Sequence, residues 1–189
     1  MTDRSGTSFG RAFKNAAAIG LLTATLAGCS SNSKGPPKPC PMVDVPQELT
    51  YMTSFDNAGT DLSDIAYEVQ IDKRAMRSFC YYSEDGDPNY IRTDLKIQFL
   101  AARGPKFTGD KAHFKYFVAV TGPGGSNLKK DIFDADVDLS GDKLRNITVD
   151  EIDPIKIFPK AKENGDFYRI YVGLDLTKDQ LDYNKRNPR

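Results

Sequence analysis

Few side chains in this 189-residue chain could do chemistry, and their types narrow what that chemistry would be. There is one histidine, His113, and there are three cysteines, Cys29, Cys40 and Cys80. A single His just ahead of an alternating apolar segment reads as a solvent-exposed side chain at a strand edge rather than a general base. No serine sits in a nucleophile-elbow context, so a Ser–His–Asp triad has no support. Two thiols and one imidazole also fall short of the four N or S ligands of a structural zinc site. Asp134, Asp136 and Asp138 stand at alternate positions, with Asp142 close behind. A calcium loop would need a glycine elsewhere and a closing Glu, so these carboxylates read as a solvated strand face that discourages edge pairing. "TGPGG" at 121–125 joins two alternating segments, which makes it a hairpin turn rather than a phosphate cradle. No catalytic residue, metal or cofactor is expected.

Aromatic residues are the remaining candidates. Tyr81, Tyr82 and Tyr90 surround an Asp-Gly turn. Adjacent residues of a strand point to opposite faces, so one of Tyr81 and Tyr82 belongs to the core. The outward rings are candidate contacts for a partner or a glycan.

Cys29 has a neighbourhood of its own. Arg4, Arg11 and Lys14 precede an apolar run from Ala16 to Ala27. A dozen residues is short of the roughly 20 that a spanning helix needs, and the pattern is that of a secretory signal. The run closes on Leu26-Ala27-Gly28-Cys29, which resembles the lipobox of bacterial lipoproteins, where the Cys thiol receives a diacylglycerol before cleavage. The resemblance implies a signal peptide over 1–28 and a mature chain that opens at Cys29, acylated on sulfur and on its new amino group. A plain signal with an incidental Cys29 is the alternative. "SSNSKGPPKPCP" then reads as a tether, flexible first and stiffer after, so that residues 29–46 link the lipid to a domain at 47–189. Each buried CH₂ contributes about 0.8 kcal/mol, and two or more acyl chains hold durably. Ser30, rather than Asp, after the Cys favours the outer membrane, facing the periplasm.

An exported chain meets an oxidising compartment, so Cys40 and Cys80 are expected to pair. Closing that loop stabilises by about 4 kcal/mol in the chain-entropy description. It would also staple the end of the tether to the domain. Two free thiols or a metal pair are the alternatives.

The elements that must position these residues are strands. Period-two alternation runs through 48–55, 65–72, 75–82, 90–102, 113–122, 128–139 and 166–176, and two further strands are expected at "RNITVDEI" and "PIKIF". Thr177 and Gln180 form a capping box that opens a short C-terminal helix, "KDQLDYNKR". About seven to nine short strands without interleaved helices predict an all-β fold, an antiparallel β-sandwich of the Ig or fibronectin type. The chain has no Trp, which excludes the antibody-type Cys–Trp–Cys core. A small closed barrel is the competing architecture. With 26 basic and 26 acidic residues scattered along the chain, nothing favours nucleic acid as a partner.

At "PCPMVDV", "FVAVTGPGG", "DIFDADVDL" and "YRIYVGLDLTKDQLDYNKR" the chain resembles a family of uncharacterised lipoproteins of alphaproteobacteria. The resemblance covers nearly the whole mature chain. It implies a lipobox and a Cys pair joining the mature start to an early strand, and it carries no activity with it. The expected function is therefore non-enzymatic: a membrane-anchored envelope lipoprotein that binds another envelope protein in an accessory or assembly role. A small-ligand or glycan-binding sandwich is the alternative.

Overall fold

The computed structural model describes residues 37–56, 61–83 and 89–189. The signal, Cys29 and the first part of the tether lie outside the described residues. Among the described residues the elements are β1 (Met42–Asp44), β2 (Tyr51–Phe55), β3 (Ile65–Ile71), β4 (Arg77–Ser83), β5 (Tyr90–Arg103), β6 (Lys111–Thr121), β7 (Asn127–Asp138), β8 (Arg145–Ile157), β9 (Arg169–Leu174) and a helix, α1 (Lys178–Arg186).

These strands form two sheets. The front sheet has the order β1-β9-β6-β7. In the back sheet β2 pairs β3, and β5 is the central strand. Because β8 runs along Ile91–Ala102 of β5, β3 and β4 share the other side of β5, one after the other. A corner at Asp72 separates them, where its carboxylate accepts the Arg74 amide at 3.0 Å. The sheets do not close into a barrel. The fold is a β-sandwich with one short C-terminal helix. Its central pairs, β5 with β8 and β6 with β9, have the relation of the B–E and C–F pairs of Ig-type sandwiches. The place beside β9 that the last strand of that topology would fill is taken by β1, running parallel to β9.

Alternation decides which side chains meet between the sheets. Ile91, Leu95, Ile97, Phe99 and Ala101 of β5 face Phe114, Tyr116, Val118 and Val120 of β6, all buried, with Ile170, Val172 and Leu174 of β9 beside them. The Phe99 ring lies 4.9 Å from Phe114 and 4.8 Å from Tyr116, and Tyr116 stacks on Phe133 at 5.1 Å.

Two boundaries differ from the sequence reading. "RNITVDEI" and "PIKIF" belong to one strand, β8, which passes through Asp153-Pro154 with a register shift opposite Thr93–Leu95. An edge strand tolerates Pro because its missing N–H can lie at a bulge or on the unpaired side. The tether, expected to extend to residue 46, is folded before that point. Pro41 and Val45 are buried, and Met42–Asp44 pair with Arg169–Tyr171.

At the other end, Thr177 and Gln180 form the capping box that opens α1. The helix is fixed to β2 by buried Asn184, whose Nδ2 donates to the carbonyls of Glu48 (2.8 Å) and Tyr51 (2.7 Å). In return the Tyr51 hydroxyl donates to the carbonyls of Asn184 and Asn187.

Candidate functional site

The outer face of the back sheet is divided. Tyr51 points outward from β2, yet it is almost fully buried because α1 lies over it and the Arg189 guanidinium stacks on its ring at 4.7 Å. Among the described residues no element covers the other half, formed by β4, β5 and β8. There the register builds successive rungs: Arg77, Lys96 and Glu151; Phe79 beside Asp94; Tyr81, Arg92 and Lys156; and then Tyr90 against Phe158. Phe79, Tyr81 and Phe158 are 62%, 57% and 55% exposed. Ile147 and Val149 extend the apolar surface along β8. Contiguous exposed apolar side chains with polar neighbours mark interaction sites.

The charges on this face are largely matched to one another. Arg92 Nε donates to Asp94 at 2.9 Å, and Lys96 pairs with Glu151 at 2.5 Å. Lys156 lies 5.1 Å from the centre of the Tyr90 ring, a cation–π contact. Such an arrangement holds rings apart and solvated without a strong net field, and it offers stacking and contact area.

The tyrosines singled out from the sequence separate into three roles. Tyr81 is the outward one. Tyr90 is half-buried against Phe158. Tyr82 is half-buried and is no contact residue: its hydroxyl donates to the Pro39 carbonyl at 2.5 Å and accepts the Gly165 N–H at 2.6 Å, while Lys38 lies over its ring. Cys80 shares the inward side of β4 with Tyr82 and is joined to Cys40 by a disulfide, with 5.8 Å between the Cα atoms. Gly165 permits the close passage of this strap, since a Cβ there would collide with the Pro39 carbonyl and the Cys40 backbone. Phe79 and Phe158 were not singled out from the sequence. The signal for Phe79 was its parity with Tyr81, two residues away on the same strand.

Asp134, Asp136 and Asp138 of β7 face outward and are met by a basic row on β6. His113 Nδ1 lies 2.7 Å from Asp136, Lys111 lies 3.7 Å from Asp136, and Lys115 lies 3.4 Å from Asp134. Asp138 is hydrogen-bonded by Lys143 and by Ser140, which hold its carboxyl well below the usual range. His113 stands on an interior strand of the sheet, in a cross-strand charge ladder. Among the described residues no group of three His, Cys, Asp or Glu is placed to hold a metal ion.

A cleft lies at the seam between β7 and β8, which are not paired with each other. Toward its start β7 turns the ion-paired Lys129 and Asp131 inward, 2.6 Å apart, where Phe133, Ala135 and Val137 continue the core farther along. The sheets leave a space of about 730 Å³ there, floored by Val118, Val120, Ile152, Ile155 and Ile157. Among the described residues no helix is long and apolar enough to cross a membrane.

Comparison with known proteins adds no relative: no family model, curated protein or solved structure matches the chain.

Proposed function

We propose that this chain is a non-enzymatic lipoprotein of the cell envelope, anchored through acylated Cys29 at the outer membrane and facing the periplasm, whose sandwich docks another envelope protein. The observation that carries the docking reading is the half of the back sheet that no described element covers. Phe79, Tyr81 and Phe158 stand exposed on the same face whose other half is sealed by α1. Aromatic residues and arginine dominate the buried centres of protein interfaces. The anchor reading is supported by the lipobox resemblance, the positive flank and the short apolar run. The disulfide supports export, because such bridges persist in oxidising compartments.

Glycan binding is the second reading, favoured by the row of rings Tyr81, Tyr90 and Phe158. It fits less well, because the rings lie on an open sheet and the cleft beside them is floored by aliphatic side chains.

The experiment is site-specific photo-crosslinking in cells, with a photoreactive residue at position 79 or 81 and a control at exposed Leu144. The reading expects one protein adduct of fixed mass from 79 and 81 and none from 144. Equal or absent adducts at all three positions would contradict it. The anchor is checked separately: Cys29→Ala should move the protein out of the membrane fraction.

A further inference from the structure

The seam cleft has a chemistry that the docking face does not use. Ile152 and Ile155 occupy inward positions of β8 and pack on the edge of the core, yet they are only half-buried among the described residues. Both bordering strands are poor templates for another strand at this point. Pro154 lacks an N–H, and β7 turns the charged pair Lys129 and Asp131 inward. A peptide added to β8 would lose a hydrogen bond at Pro154, and one added to β7 would have to cover a charged pair. The aliphatic floor offers no side-chain donor or acceptor, so it suits an occupant that asks for none. The volume lies in the range of roughly 300–1,000 Å³ common to small-molecule sites. At the mouth, Lys129 and Asp131 satisfy each other, and among the described residues Asp153 and Lys156 make no ion pair. Among the described residues lining this mouth, Lys156, held over the Tyr90 ring, is the cation without a carboxylate partner.

We propose that the cleft between β7 and β8 holds the alkyl chain of a fatty acid, with the carboxylate beside Lys156 and the chain along Val118, Val120, Ile152 and Ile155. The exposed side chains of Leu128 and Phe158 flank the entrance. Lys156 and Phe158 border both this cleft and the docking face, whereas Ile155 lines the cleft from the inward side of β8, so Ile155→Phe separates the two sites.

The test uses the full chain in phosphatidylcholine nanodiscs. One arm carries palmitic acid with a diazirine near its chain end, and a second carries the same photoreactive tail on phosphatidylcholine. After irradiation, peptide mapping locates the label. The expected result is labelling of residues 127–133 and 152–158 by the free acid. Ile155→Phe, which fills the space from a half-buried position, should lower it roughly tenfold, equivalent to about 1.4 kcal/mol. Lys156→Glu should lower it as well, with Asp153→Asn unchanged or stronger. A thermal midpoint kept within a few degrees shows that these variants fold. Labelling by the phospholipid alone would overturn the assignment to a fatty acid. Label no stronger on the seam than on β3 in both arms, or undiminished in Ile155→Phe, would overturn the site itself.

Discussion

The Tyr116 hydroxyl donates to the Asp150 carboxylate at 2.6 Å, joining the front sheet to the back sheet through the core. Tyr116 is fully buried and stacks on Phe133, so the bond forms where little water competes. Burial, and then the bond to Asp150, push its phenol far above the ordinary value. Tyr116→Phe keeps the ring but leaves a half-buried carboxylate short of a donor. The expected loss is about 1–3 kcal/mol of unfolding free energy, read from urea denaturation with an unchanged m-value.

Stability should also fall at alkaline pH. Burial and the hydrogen bond to Glu163 push Tyr168 up to about 12 from an ordinary 10. Between those values the unfolded chain has lost a proton that the folded chain retains, so unfolding is favoured as pH rises. The contribution is fully present below pH 10 and is lost as pH approaches 12. A pH series of thermal midpoints should show this decline, and Tyr168→Phe should make it shallower.

Cys40–Cys80 holds a strap of which only three residues pair as β1. Breaking the bridge by Cys40→Ser with Cys80→Ser should cost about 2–4 kcal/mol. Hydrogen exchange should rise first at Val43 and Asp44 and around Gly165, while β6 stays protected. Uniform loss of protection would contradict a local role for the strap.

Asn184 is the pin of the helix. Asn184→Leu removes both donations to the Glu48 and Tyr51 carbonyls, with an expected cost of about 2–3 kcal/mol. Exposure of Tyr51 should accompany it and register as altered tyrosine fluorescence before global unfolding. The closing residues thus have structural work: Thr177 and Gln180 cap, and Asn184 docks.

The strands whose alternation is uninterrupted, such as β5 and β6, could be read directly, because each residue faces either core or solvent. β8 could not be read as one strand, because Asp153-Pro154 breaks the pattern at a bulge that only pairing with β5 defines. β1 gave no periodic signal, being three residues long amid prolines and held by a parallel partner far away in sequence. Parity showed that Tyr81 and Tyr82 oppose each other. Which one is buried depended on Cys80, whose bridge to Cys40 fixes the inward side of β4. The seam cleft was hidden for a related reason. Lys129 and Asp131 lie in step with Phe133, so sequence alone cannot tell where the two sheets part.

The most direct test of the docking account is a pull-down from solubilised membranes with two baits, the wild-type chain and Phe79→Ala/Tyr81→Ala. These side chains project outward and contribute nothing to the core, so both baits should melt at nearly the same temperature. The account predicts that the wild type returns one envelope protein in fixed stoichiometry and that the double variant loses it. Equal recovery by both baits, or no enriched protein with the wild type, would contradict it.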